Sequence, residues 1–435
     1  MDNKYGRLNI FIFVIKDILK NMTLKILKLT PYFFPEQISS SHLTNDLCEA
    51  FQKVGIETEV YCPTPTRGIN DETREKYKNI KYEEMYDGTV KVHRFSMFRE
   101  GRNPIMRAIR YILCNLIQYF KGCRAKDIAL IFAASTPPTQ GLLCALVKKR
   151  LKVPFIYNLQ DIFPDSLVNT GLTRKGSILW KIGRKIEDYT YRHADKIIVI
   201  SDGFKKNIMA KGVPEEKIEV IPNWVDTSDV YPVERKDNII FDRYNIDRKK
   251  FIISYCGNIG HTQNMDMLLD AAKELQDKLP QLLFVLIGEG AEKAHVEERI
   301  YKEHISNVML LPFQPYEDIA HVFSLGDVGL IISKPGVGTN SVPSKTWSYM
   351  AAAKPILASF DKESELSKII KQNDCGYITD NISNINLCKL IFECYISYKL
   401  KKIGNNGLYY LNQYLNKDKC VNKYIENLKK CILHH

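Results

Sequence analysis

No apolar run in this chain reaches the roughly 20 residues that span a bilayer, so no segment reads as a transmembrane helix. The nearest candidate, LNIFIFVIKDILK at residues 8–20, is short, is interrupted by Lys16 and Asp17, and lacks a small-residue cleavage site. Met22 then precedes TLKILKLTPYFFP, which reads as a first buried strand, so translation is expected to begin at Met22, with residues 1–21 either an artefact of start assignment or a loose appendage. Cys-x-x-Cys pairs are missing, and no Cys/His spacing fits zinc. The eleven cysteines are scattered and odd in number, the pattern of reduced thiols in a cytosolic protein. Solenoid-length repeats and long low-complexity tracts are absent as well, which argues against repeat arrays and disordered chains. No nucleic-acid-binding motif is found, so nucleic acid is not the expected partner.

What remains is a globular composition, 45% hydrophobic and 26% charged over 435 residues, too long for one ordinary core. Two domains of roughly 200 residues each are expected. Lysine and arginine outnumber aspartate and glutamate 62 to 50, a net charge of +12 that suits a phosphorylated ligand or an acidic membrane surface. Strand-like runs begin near residues 24, 58, 90, 128, 155, 196 and 217, alternating with helix-period segments, and the order restarts at 251, 282, 307, 328 and 355. Alternation of this kind predicts parallel sheets covered on both faces. The expected fold class is therefore α/β, two doubly wound Rossmann-like domains facing a central cleft, with ligands at the carboxyl ends of the strands. The boundaries read as 1–232, 233–405 and a terminal helix within 406–435 that returns to the first domain.

Glycines punctuate three strand-to-helix turns of the second half. KPGVGTNSVPSK (334–345) supplies Gly336 and Gly338, then Pro343 or Ser344 to open a helix, with Lys345 beside its first amides. Free amides and a lysine make an anion site, most simply for a diphosphate; the same residues also describe an ordinary capped helix with a solvated lysine. YCGNIG places Gly257, Asn258 and Gly260 after a strand, followed by His261, and LIGEG adds Gly288 and Glu289. One Gly-x-x-Gly is a weak signal, but three consecutive turns of one domain are a stronger one.

Taken in order, YCGNIG, LIGEGAEK, LPFQPYEDIAHVFSLGDVGLI and VPSKTWSYMAAAKPILAS resemble the nucleotide-sugar half of family 4 retaining glycosyltransferases of GT-B fold. The first half agrees through LTPYFFPEQISSSHLTNDLCEAFQKVGIETEVYCP and IIVISDGFKKNIMAKGVPEEKIEVIPNWVD, so the resemblance covers about residues 24–376. Within the family, ASTPPTQGLL and YNLQDIFPDSLVNTGL are most similar to bacterial O-antigen and capsule enzymes, the N-acetyl-L-fucosamine transferases above all. The resemblance implies a UDP-sugar donor on the second domain and an acceptor on the first, retention of anomeric configuration, and no cofactor or essential metal. It also implies that Lys345, Ser344 and the glycine-loop amides hold the departing diphosphate, with Pro343 shaping the helix start.

Several positions depart from the family pattern. Where many members carry two glutamates separated by seven residues, this chain has Asn340 and Ser348; where many have an arginine and a lysine, it has Asn258 and Asn264. His261, Lys334 or Lys345 must then supply the positive charge. Gln160 takes the place of a frequent histidine, which makes Asp161 the better candidate for positioning donor sugar or acceptor hydroxyl, unless it only caps the following turn. Glu363 or Glu365, in FDKESEL, is a candidate for the ribose or else part of a solvated acidic turn.

Acceptor contacts are expected from Ser39, Ser40, Ser41 and His42 in the loop after the first strand. Residues 99–126 place Ile105, Ile109, Ile112, Leu116 and Phe120 near helical spacing among Arg99, Arg102, Arg107, Arg110, Lys121 and Arg124. This describes an interfacial helix on anionic lipid, and equally a core helix with basic edges. Because the family's repeat-unit acceptors are sugars on polyprenyl diphosphate, the expectation is a cytoplasmic protein peripheral to the inner face of the membrane. Two other readings stay open: a non-catalytic relative that binds nucleotide or lipid, and a nucleotide-sugar epimerase of the same two-domain shape.

Overall fold

The structure, a computed structural model, describes residues 24–36, 41–101, 104–169, 173–225, 227–338, 342–433 and 435. The expected appendage at 1–21 and the candidates Ser39, Ser40, Arg102 and Asn340 lie outside the described residues.

Strands form where apolar runs are continuous, because both sheet faces are covered. The first unit holds β1 (Leu24–Leu29), β2 (Ile56–Pro63), β3 (Tyr82–Met85), β4 (Val90–Phe95), β5 (Leu130–Ala134), β6 (Phe155–Leu159), β7 (Lys196–Val199) and β8 (Ile218–Val220), in the order β3-β4-β2-β1-β5-β6-β7-β8. All its pairs are parallel except β3 with β4. The second unit holds β9 (Phe251–Cys256), β10 (Leu282–Ile287), β11 (Val308–Leu311), β12 (Val328–Ile332), β13 (Ile356–Ser359) and β14 (Gly376–Thr379), in the all-parallel order β11-β10-β9-β12-β13-β14. β3 and β14 were not anticipated: each is a four-residue edge strand without a fully buried residue. The second sheet's core lies on both faces, with Ile252, Val285 and Ile331 in one cluster and Ile253, Phe284 and Leu330 in the other. This is the period-2 alternation of a doubly covered sheet.

The units divide at Ile221 and Pro222 rather than at the expected 232 and 233. Val230, buried in the second unit's core, draws this stretch across. The helix Leu400–Tyr414 also stays with the second unit, where Leu411 is fully buried, and only Val421–His435 groups with the first. In that last segment the Tyr424 hydroxyl donates to Asn158 Oδ1 (3.1 Å) and its ring meets Phe132 edge-on.

Candidate anion-binding site

In the second unit, the turns after β9 and β10 are stitched together by backbone. Gly257 N donates to Ile287 O (2.9 Å), Ile259 N to Glu289 O (2.8 Å) and Glu292 N to Ile259 O (3.0 Å). A Cβ on Gly288 would lie 1.9 Å from Gly257 O, and one on Gly290 would lie 2.1 Å from Ile259 O, so no side chain fits at either turn. Replacing Gly290 with alanine is therefore expected to cost about 2 kcal/mol or more, since the obstructing atom is backbone. A thermal melt checks this, and an unshifted transition would show that the turns need not lie so close.

Lys345 stands at these turns. Its Nζ lies 3.6 Å from the centre of the Tyr255 ring and 3.1 Å from where a Cβ on Gly257 would sit, so the glycine, with φ at +132°, admits the ammonium. Tyr255 is held by its hydroxyl, which donates to Asn258 O (2.5 Å). A cation over an aromatic face is attracted by the ring, but loss of water dominates and lowers the Lys345 pKa to about 7, the Cys256 thiol acting the other way. Among the described residues no carboxylate pairs with Lys345, whereas His261 Nδ1 pairs with Glu292 and Glu289 Oε1 takes up Lys293 Nζ at 2.6 Å. Lys334 is exposed, and its amide donates to Thr262 O (2.9 Å).

The helix start differs from expectation. Lys345–Ala351 is seven residues long, Ser344 makes no side-chain cap, and the amides of Thr346 and Trp347 turn back to Pro343 O (2.9 Å) and Ser344 O (3.1 Å). Gly336 and Gly338 do not present amides to a ligand either, because Asp361 accepts both through its two carboxylate oxygens (2.9 and 2.7 Å). Gly338 is small for another reason, as a Cβ there would lie 2.1 Å from the Phe360 ring. Asp361 and Tyr255 are the residues that sequence reasoning missed: in FDKESEL the aspartate, not a glutamate, is the group that meets the glycine loop. Gly260 carries no side chain because Asn258 Nδ2 would meet it at 2.4 Å, and its amide donates to Gln263 Oε1 (3.1 Å). Ser348 is partly buried on the Lys345 helix. Glu365 opens the helix Glu365–Asn373 and accepts from the Gly203 amide (3.4 Å), with its pKa raised by desolvation.

In the first unit, the amides of Gln160 and Asp161 both donate to Ser135 Oγ (2.9 and 3.1 Å), and Gln160 Nε2 donates to Asn158 Oδ1 (2.9 Å). Asp161 stands at the surface, yet its carboxyl is crowded enough that desolvation raises its pKa, against hydrogen bonds from the Ser166 side chain and the Ile162 backbone. Those bonds tie it to the turn that follows. Ser41 Oγ donates to Glu36 O (3.1 Å), and His42 is exposed. No group of three or more His, Cys, Asp or Glu among the described residues could hold a metal ion.

Comparison with known proteins gives a consistent result. A family model described as Glycosyltransferase Family 4 matches residues 41–229, and one described as Glycosyl transferases group 1 matches residues 236–406. WbjE of Pseudomonas aeruginosa, named a probable glycosyltransferase, is 26% identical over 62% of this chain and 67% of its own length. WcaI of Escherichia coli K12, assigned to colanic acid biosynthesis as a glycosyl transferase, is 26% identical over 52% of this chain. The chain thus spans about two thirds of the first relative and 57% of the second. Among solved structures, Anabaena Alr3699/HepE in complex with UDP matches with TM-score 0.69 and 15% identity, covering 94% of this chain and 100% of that one. Sucrose-phosphate synthase from Thermosynechococcus elongatus matches with TM-score 0.73 and 15% identity, covering 95% and 100%.

Proposed function

This chain belongs to glycosyltransferase family 4 and has the GT-B fold, and on that premise we propose that it moves a sugar from a UDP-sugar to a polyprenyl-diphosphate-linked saccharide in bacterial surface polysaccharide synthesis. The sugar is an N-acetylated hexosamine or 6-deoxyhexosamine, and the anomeric configuration is retained. The observation that carries the donor reading is Lys345, an ammonium without a carboxylate partner among the described residues, held over Tyr255 at two stitched glycine turns. UDP is the nucleotide in the complex of the similar Anabaena protein. In the reaction, the bond from anomeric carbon to diphosphate oxygen breaks and its electron pair leaves on the diphosphate. Positive charge at Lys345 stabilises that group as it departs. The acceptor oxygen bonds to the same face and its proton passes to the leaving oxygen; in this proposal neither a metal nor a cofactor takes part. Asp161 and Gln160 are the first-unit candidates for orienting a reacting hydroxyl.

The acceptor reading has separate support. The 19-residue helix Pro104–Gly122 is turned with its apolar side outward: Ile105, Ile109, Ile112, Leu116 and Phe120 are exposed, while Arg110, Cys114 and Gln118 are buried. Arg110 is thus not among the basic residues of the helix edge. The polar side faces inward because Gln118 Nε2 donates to Thr30 O (2.8 Å) and Tyr61 O (2.9 Å), satisfying carbonyls at the ends of two strands. No helix among the described residues is long and apolar enough to cross a membrane. The outward apolar face of Pro104–Gly122 supports the proposed peripheral seat on anionic lipid at the cytoplasmic face.

The test is calorimetric titration with UDP, GDP and their sugar conjugates, followed by transfer assays on a polyprenyl-diphosphate-linked saccharide. Selective binding of UDP and transfer to the lipid-linked acceptor are expected. Binding of no nucleotide would favour a non-catalytic relative, and turnover of the UDP-sugar without acceptor to an epimeric sugar would favour an epimerase.

A further inference from the structure

The loops after β1, β2 and β4 bring together a group of side chains that the donor site does not use. Glu100 is its centre: Arg107 Nε lies 2.9 Å from Glu100 Oε1, Arg67 Nη1 3.9 Å from Oε1, and Arg110 Nη1 3.9 Å from Oε2. The Tyr32 hydroxyl donates to Glu100 Oε2 (2.6 Å) and meets the Tyr111 hydroxyl at 2.8 Å. Three guanidiniums stand against the carboxyl groups of Glu100 and Glu36, so the group carries surplus positive charge.

Burial divides the cluster into a floor and a rim. The side chains of Glu100 and Arg110 are 6% and 0% exposed, and those of Arg67 and Arg107 are 46% and 38% exposed. Arg110 is fixed by Phe98 O (3.1 Å to Nε) and Thr66 Oγ1 (3.2 Å to Nη2), and its Nη1 is buried without a hydrogen bond among the described residues. Arg67 stacks on Tyr32, its Cζ 5.3 Å from the ring centre. Its loop is pinned because Glu36 Oε1 accepts the amides of Thr66 (2.8 Å) and Arg67 (2.9 Å). The rim guanidiniums are thus held from beneath, Arg67 by Tyr32 and its pinned loop and Arg107 by Glu100, while both side chains stay partly exposed.

Position adds chemistry. Tyr32, Arg67 and Glu100 each follow the carboxyl end of a strand, where doubly wound sheets take ligands. Arg107 lies in the first turn of Pro104–Gly122, beside the start of its exposed apolar side at Ile105 and Ile109. A ligand that fits is anionic at one end and apolar at the other. Resting on the acceptor reading above, we infer that Arg67 and Arg107 receive the diphosphate of a polyprenyl diphosphate whose hydrocarbon lies along the outward face of this helix. Guanidinium forks suit this role, since each can hold two phosphate oxygens at once.

The experiment is calorimetric titration of the full chain with farnesyl diphosphate, inorganic pyrophosphate and farnesol, with UDP present in excess to occupy the donor site. Farnesyl diphosphate is expected to bind more tightly than pyrophosphate, and farnesol least. The R67Q/R107Q variant is expected to lose about twentyfold or more for farnesyl diphosphate while keeping wild-type affinity for UDP. R67K/R107K, which keeps the charge and loses the fork, is expected to fall between them, and this second variant, with a thermal melt of each, guards against misfolding. Equal binding of farnesyl diphosphate by wild type and R67Q/R107Q overturns the inference. So does no binding by the wild type, or binding lost in K345A instead. Equal affinity for pyrophosphate and farnesyl diphosphate overturns the lipid assignment. UDP binding that persists through these failures leaves the donor reading standing, and its absence from the wild type counts against that reading separately.

Discussion

Substituting Lys345 with alanine is expected to weaken UDP binding by up to about a hundredfold and to abolish sugar transfer, read by calorimetric titration and by release of UDP. A hydrogen bond to a charged group contributes about 1.5–3 kcal/mol, and the upper end corresponds to a factor of about a hundred. The upper end applies because the other candidate cations are weaker. His261 is committed to Glu292, and Lys334 stands in solvent. The amides at the start of the Lys345 helix are turned back to Pro343 and Ser344, and those of Gly336 and Gly338 are held by Asp361. Wild-type affinity in the variant would remove Lys345 from the site.

The same lysine predicts a pH dependence of definite sign. Desolvation lowers its pKa to about 7 in the free protein; a bound diphosphate, being an opposite charge, raises it. Binding therefore takes up a proton at Lys345 above pH 7, and the lysine's contribution to affinity is level below that value and falls as the pH rises. The slope approaches about tenfold per pH unit until the pKa of the complex is passed. Affinity for UDP that stays flat from about pH 7 to about pH 9 would mean that Lys345 is charged throughout or is not in contact with the diphosphate.

The sequence carried the sheets better than the site, for a physical reason. A strand buried on both faces must be continuously apolar, so β9 and β12 stand out in the primary structure, whereas the edge strands YEEM and GYIT satisfy no such demand. Glycine turns are legible because few other residues tolerate their geometry, but what a glycine is close to is a matter of tertiary structure. Gly288 and Gly290 are small for the sake of the neighbouring turn's carbonyls, and Gly338 for the Phe360 ring. Lys345 could be picked out as a cation next to a helix, but Tyr255, the surface it rests on, lies in another strand. Asp361 shows the converse error: a glycine-rich loop shaped to hold an anion holds one from its own chain.

The I112E/L116E variant is expected to release the protein from vesicles containing anionic lipid while leaving its fold and UDP affinity intact. Periodicity alone could not say which side of Pro104–Gly122 faces inward, since an amphipathic pattern is the same whichever side is buried. Gln118, on the polar side, decides it by donating to the backbone carbonyls of Thr30 and Tyr61. The substituted side chains are 57% and 50% exposed, so replacing them removes little native packing. Together they forfeit the transfer of two large apolar groups and add two charges repelled by the lipid surface, a loss of about 3 kcal/mol, or roughly a hundredfold in partitioning. Flotation with phosphatidylglycerol-containing vesicles measures it, and raising the salt should weaken wild-type binding only in part, because the apolar contribution is not screened. If the variant floats as the wild type does, the outward stripe serves something other than lipid. A second copy of the chain is then the next candidate, and light scattering would show it as a dimer that the two glutamates dissociate.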